Sequence, residues 1–410
     1  MQNFDRMWND LAPVGRVAAS GGYHRFAWTA QDAELREWFA GEAAARGLDL
    51  VVDRAGNQWA WWGDPDAAVA SGRSGLVLGS HLDSVADGGA FDGPLGVVSG
   101  FVALDLLRDR HGPGWTPDRP LAVAAFSDEE GGRFGLACSG SRLLTGALDP
   151  DRARALRDDT GTTLAEAAGR AGHDGEHLGA DPEALRRVGT FVELHVEQGR
   201  GLVDLDAPVA VGTGIWPHGR WRVDLPGRPD HAGTTRLADR DDPVLTLAEF
   251  VTAVRAAAEH HDALATVGKV RVAPGAVNAV AAHVTAWVDA RGADADRVHA
   301  LVEDLAARWP LATESWTEAT TFDPALAARL ARVVGDPAPL LATGAGHDAG
   351  ILAAAGVPTA MLFVRNPTGT SHSPAEHADR ADCHLGVHAL AAVADDLLST
   401  DPAESPRAWE

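Results

Sequence analysis

The stretch that decides the fold runs from Gly75 to Gly96, GLVLGSHLDSVADGGAFDGPLG. GLVLG is a short apolar run of the kind found in strands covered on both faces. It gives way at once to a polar, glycine-rich segment, and Leu95–Leu107 then reads as a helix. Strand, polar loop and helix form one unit of an alternating α/β architecture with helices on both faces of a sheet. The pattern recurs outward from it. LAVAAF (Leu121–Phe126) runs into SDEEGG, FVELHV (Phe191–Val196) into EQG, and TAMLFV (Thr359–Val364) into a loop with SHSPAE. An amphipathic helix over Ala30–Arg46 and short β-like runs at Leu48–Asp53 and Asn57–Trp62 precede them. Polar clusters just past successive strand ends put a site along the carboxyl edge of the sheet.

The middle of the chain reads differently. Trp221–Leu225 and His283–Arg291 alternate apolar and polar residues, as half-exposed strands do, and Pro243–His260 and Asp294–Trp309 read as amphipathic helices. Strand, helix, strand, strand, helix predicts an α+β unit at 213–325, inserted into an α/β domain made of 1–212 and 326–410. Its hinges are expected in GTGIWPHG and around Phe322–Pro324.

Composition narrows the function. The 410 residues are 45% hydrophobic and 23% charged, an ordinary globular balance with material for two domains. The net charge of -23 disfavours nucleic acid and anionic membranes as partners. Lys269 is the one lysine, so there is no Gly-Lys-Ser/Thr phosphate loop and a Schiff-base lysine is disfavoured. Two cysteines, Cys138 and Cys383, make no disulfide framework and suggest a reducing compartment. The acidic MQNFDRMWNDLAP start is unlike a signal peptide, and no window is apolar enough to span a membrane, so the expected location is the cytoplasm.

Chemistry concentrates in four clusters. His81 and Asp83 stand two apart on an extended segment and share a face, so one can bind a metal while the other orients it. Asp92 follows in a glycine-rich loop. Glu129 and Glu130 are adjacent at a strand end and diverge, so one can bind metal while its neighbour acts as a general base. His195 with Gln198, and His372 in GTSHSPAEH, end the other two strands. Taken singly, each cluster reads as a polar turn or a satisfied structural histidine. Together they supply three imidazoles and two carboxylates, a set suited to Zn, Mn, Co or Ni and too large for one open catalytic ion. It fits two ions sharing a bridging carboxylate.

GSHLDSV…GGAFDG, EEGGRFG, ELHVEQG, HAGTT, the Asn278–Arg291 segment, GAGHDA and SHSPAE occur in that order from about Trp28 to Leu398. In this the chain resembles the M20 metallopeptidase-like amidohydrolases. More narrowly it resembles the hydantoinase/carbamoylase branch, which holds N-carbamoyl-L-amino acid hydrolases, β-ureidopropionases and allantoate amidohydrolases. The resemblance implies two divalent ions held by His81, Asp92, Glu130, His195 and His372, with Asp92 bridging. It implies Glu129 as general base and Asp83 as the group orienting His81. It also implies that the inserted unit is a lid and dimerisation domain, with His231 reaching the partner subunit's site to polarise the scissile carbonyl. Asn278 and Arg291 would hold a substrate carboxylate, and Gln198 and His347 would line the pocket. The expected substrate is a small N-carbamoyl or N-acyl amino acid or ureido acid, and the expected assembly a homodimer. N-formyl-amino acid hydrolysis, a dipeptidase or aminoacylase, and a binding protein without catalysis are the alternatives. Arg236 after HAGTT and Arg365 in FVRNPTG depart from the family pattern and bear on substrate choice.

Overall fold

A computed structural model describes residues 1–335 and 338–399. The chain divides into two compact units, 1–214 with 321–410 and 215–320; residues 400–410 of the first lie outside the described part.

The first unit is built on a nine-stranded mixed sheet. Its strands are β1 (Asp49–Val52), β2 (Gln58–Trp62), β3 (Gly75–His81), β4 (Leu121–Phe126), β5 (Val188–Val196) and β6 (Val209–Ile215). After the second unit come β13 (Thr320–Thr321), β14 (Leu340–Thr343) and β15 (Thr359–Val364). The order is β1-β2-β4-β3-β5-β15-β6-β13, with β14 also on β6. The centre, β4-β3-β5-β15, is parallel. All residues of β3, β4 and β15 are buried, which is why their sequences are apolar runs without alternation. Leu76, Leu78, Val123, Val192 and Leu194 share one core with the helices Pro94–His111 and Arg380–Leu398. Period two then turns His81 away from Ser80, and His195 away from Leu194.

The second unit is a four-stranded antiparallel sheet ordered β12-β7-β11-β9, formed by β7 (His218–Pro226), β9 (Leu264–Ala273), β11 (His283–Arg291) and β12 (Leu311–Thr317). β8 (Asp230–His231) and β10 (Ala279–Val280) make a separate two-stranded ribbon. β7 and β11 bury alternate residues against helices Pro243–His261 and Ala295–Ala306, through Phe250, Val254, Leu301 and Leu305. Two features differ from the sequence reading. The unit ends in a further strand, β12, whose polar LATESWT edge gives no apolar period. And Gly212–Ile215, expected in a hinge loop, forms the end of β6, a strand buried almost throughout that pairs with β15 as far as Gly212.

Candidate active site

Each residue of the cluster reaches it from the end of a parallel strand or the loop beyond. His81 closes β3 and is fully buried. Its Nδ1 lies 3.1 Å from the carbonyl oxygen of Asp83, and its Nε2 lies 3.6 Å from Oδ1 of Asp92 and 3.8 Å from Glu129. Gly93 (φ 85°) permits this, since an added Cβ there would meet the His81 ring at 2.4 Å. His195, next to last in β5, is also fully buried. Its Nδ1 lies 2.9 Å from the Val196 carbonyl oxygen and its Nε2 3.2 Å from Oδ1 of Asp92. His372, in a loop with φ 52° and half exposed, brings Nε2 to 3.5 Å from Oδ2 of Asp92 and 3.3 Å from Glu130. Asp92 therefore turns Oδ1 to His81 and His195, and Oδ2 to His372. Two groups of converging ligand-capable atoms share Asp92, His81–Asp92–His195 and Asp92–Glu130–His372; a third, Glu193–His195–His347, adjoins the first.

Asp83 does more than accompany His81. Its Oδ1 lies 3.5 Å from the His81 ring, while its two oxygens accept the backbone N–H groups of Glu129 (3.2 Å) and Glu130 (3.0 Å). One buried carboxylate thus fixes the turn that aims both glutamates. Burial pushes the Glu129 carboxyl well above the usual carboxylate range; the nearby His81 opposes the shift, and Asp348, Glu130 and Asp83 add to it. Burial first, then the charge of His195, holds the His347 imidazole well below its ordinary value. Its ring centroid is 4.5 Å from that of His195.

Does a cation suit these residues? The Nε2 atoms of His81 and His195 and Oε1 of Glu130 are buried without hydrogen-bond partners. Such orphaned groups cost about 1–3 kcal/mol each, and a divalent ion on each side of Asp92 would satisfy them. Imidazole nitrogen with carboxylate oxygen is the donor set of zinc-like ions.

Gln198, expected to line the pocket, donates from Nε2 to Oδ2 of Asp92 (2.9 Å) and to Ser371 Oγ (2.9 Å). Arg365 grips Asp382 through Nε (2.8 Å) and Nη2 (3.2 Å), so its fork is engaged within the fold. Arg236 pairs with Asp239 at the surface (2.7 Å). Within the second unit, His231 and Asn278 come together. The N–H of Ala232 donates to the Asn278 carbonyl, and His231 pairs with Ala279 across the ribbon. Nδ1 of His231 accepts N–H bonds from Gly233 (3.0 Å) and Thr234 (3.2 Å), which leaves Nε2 as the ring nitrogen not engaged by its own turn. Arg291 lies at the opposite end of β11, paired with Asp289. The strand rises about 3.3 Å per residue, which separates its two ends by roughly 26 Å.

Sequence reasoning missed several buried polar groups although they lie inside the motifs it singled out. Glu193, in ELHVEQG, accepts from Ser80 Oγ (2.7 Å) and the Ala349 N–H (3.1 Å). Asp348, in GAGHDA, accepts from Ser141 Oγ (2.5 Å). Glu376, in SHSPAE, holds the Asp92 loop from behind.

A family model for Peptidase family M20/M25/M40 matches residues 77–396. The chain belongs to this family of metal-dependent hydrolases. An N-carbamoyl-L-amino acid amidohydrolase of Geobacillus stearothermophilus is 35% identical over 94% of this chain and 96% of its own. An allantoate amidohydrolase of Escherichia coli K12 is 31% identical over 91% and 92%. Among solved structures, a hydantoinase/carbamoylase family amidase from Burkholderia vietnamiensis superposes with TM-score 0.84 at 29% identity, covering 97% of this chain and 98% of that one. Among the described residues, no helix is long and apolar enough to cross a membrane.

Proposed function

We propose that this M20 protein is a dinuclear-metal amidohydrolase that cleaves the C–N bond of a linear ureido or N-acyl group on a small carboxylic acid. N-carbamoyl-L-amino acids and allantoate are the foremost substrates. The observation that carries the reading is the division of Asp92, with one oxygen facing His81 and His195 and the other facing the group of Glu130 and His372. His81, His195 and Asp92 would hold one ion, and Asp92, Glu130 and His372 the other; Zn, Mn, Co and Ni suit the donors. Bound there, the ions supply Lewis acidity, acidifying water and polarising the carbonyl.

The chain's own groups do the rest. Glu129, buried and 3.8 Å from His81, takes the proton of the attacking water and returns it to the leaving nitrogen. Asp83 holds it in place through the backbone N–H of residue 129. Nε2–H of His231 stabilises the oxyanion, and Asn278 and Arg291 hold the substrate carboxylate, Arg291 by a charge-assisted fork. Asn278 and the ribbon precede the His283 end of β11, which lies about 26 Å along the strand from Arg291, a span longer than one small substrate. This supports a homodimer in which His231 and Asn278 of one subunit and Arg291 of the other serve the same site. β9, an edge strand with exposed Leu264, Val270 and Val272, is the surface through which the second units would pair.

The test is ammonia release from N-carbamoyl-L-amino acids and from allantoate, before chelation, after it, and after return of each metal. Chelation should abolish release and a divalent ion restore it. Cleavage confined to N-formyl-amino acids or dipeptides would move the assignment to those alternatives. No C–N cleavage of any of these compounds by metal-loaded protein would refute it.

A further inference from the structure

Between His81 and Pro94 the chain that carries Asp92 has no helix or strand of its own; Ser84 and Gly88 bond to Arg25 and Tyr23, and the residues at Asp92 itself are held from the far end of the sequence. Glu376 is 5% exposed. Its Oε1 accepts the backbone N–H groups of Phe91 (3.1 Å) and Asp92 (3.0 Å), and its Oε2 accepts from Ser371 Oγ (3.1 Å). Ser371 Oγ also stands 3.4 Å from Oδ2 of Asp92, so one hydroxyl proton serves two carboxylates. Gln198 Nε2 bonds both Ser371 Oγ and Oδ2 of Asp92, closing the ring of contacts. Gly89 completes the fit: a Cβ there would fall 2.3 Å from Oε1 of Glu376, so the loop lies against the carboxylate at a distance that a glycine permits.

A buried carboxylate set behind another carboxylate is costly unless its hydrogen bonds are needed. The need is visible in Asp92. Its two oxygens separate the two groups of ligand-capable residues, and a modest rotation of the side chain or shift of its backbone would spoil both at once. We propose that Glu376 is a positioning residue for Asp92. Through the amides of residues 91 and 92, and through Ser371, it sets which oxygen of Asp92 faces which group. This rests on the two-ion reading above. Glu376 itself touches neither substrate nor reacting atoms.

The experiment compares wild type, Glu376→Ala, Glu376→Gln and Gly89→Ala, each metal-loaded. It measures the metal retained against a series of competing chelators, together with kcat and KM. Glu376→Ala should weaken retention of both ions together, by about 10–100-fold, the usual effect of losing an outer-shell partner. It should lower kcat and leave KM near its wild-type value. Glu376→Gln should recover most of both losses, because an amide oxygen still accepts the two N–H bonds and its NH2 can donate to Ser371. Gly89→Ala keeps the carboxylate and pushes it off the loop, so it should weaken retention in the same direction. The proposal is overturned if Glu376→Ala holds both ions as tightly as wild type, or if Glu376→Gln is as impaired as Glu376→Ala. Should Glu376→Ala not fold, wild-type retention by Gly89→Ala overturns it instead. If wild type itself does not hold two ions, the two-ion reading fails, whatever the variants do.

Discussion

The strand-end cluster of the first unit and the ribbon and strand residues of the second are built on opposite plans. His81, Asp83, Asp92, Glu129 and His195 are buried, and each is bonded or closely apposed to others of the set. His231 is exposed and bonds to its own turn, and Arg291 to the neighbouring Asp289. A buried cluster of like and unlike charges is preorganised and needs cations to complete it. An exposed group bonded only within its own turn, as His231 is, can exchange those bonds for others at little desolvation cost. The first plan suits holding ions and a proton; the second suits the substrate-recognition role proposed above. Substitutions should therefore separate: those in the second unit change turnover or binding and leave metal content alone.

The largest expected effect in turnover with ions retained belongs to Glu129. Glu129→Gln should keep two equivalents of metal and lower kcat by about 10²–10⁴-fold, the range for a lost general base. Near-normal turnover in that variant would remove Glu129 from its role. Next comes His231→Ala, expected to cost about 10²–10³-fold in kcat with full metal, as for one lost oxyanion donor. Mixing His231→Ala with Glu129→Gln subunits should regain activity, since one site of the mixed dimer has both residues. Verified exchange without recovery would mean that His231 acts in its own subunit, and the cross-subunit account would go. Arg291→Ala should raise KM by roughly 10–100-fold, matching about 1.5–3 kcal/mol for hydrogen bonds to a charged group; loss of metal from it would blur the division between the units.

Much of this division was legible in the sequence. Apolar runs ending in SHLD, SDEEGG and ELHVEQG placed His81, Glu129, Glu130 and His195 at neighbouring strand ends, because a strand buried on both faces leaves a continuous apolar signature. The rest depended on pairings that have no local signature. Asp83 accepts backbone N–H groups 46 and 47 residues away, and Gln198 reaches Asp92 across 106. Any non-proline residue offers a backbone donor, so nothing in the letters marks the partners of Asp83, and a side-chain amide such as that of Gln198 can serve any acceptor. β12 escaped for a related reason: its mostly exposed edge carries polar residues, and register on a neighbour makes it a strand.

The smallest expected effect concerns the residue that fits neither plan neatly. His372 belongs to the cluster yet is half exposed, and its hydrogen bond with Glu130, opposed by partial burial, raises it to about 9. Its folded value lies above its unfolded one, so in metal-free protein the pair stabilises fully below about pH 6.5, the unperturbed value, and that contribution is lost as pH rises through about 9. The melting temperature of metal-free wild type should exceed that of His372→Gln slightly at pH 6 and match it above pH 9.5, the gap being small because solvent screens the pair. A gap that widens with pH would contradict the assignment.

One carboxylate serving two ions is the centre of the proposed site, and the metal content of wild type and Asp92→Ala, prepared side by side and freed of loosely bound metal, tests it most directly. Two equivalents of divalent metal per wild-type chain and none held firmly by Asp92→Ala is the predicted result. A single equivalent in wild type, or two retained in the variant, would contradict it.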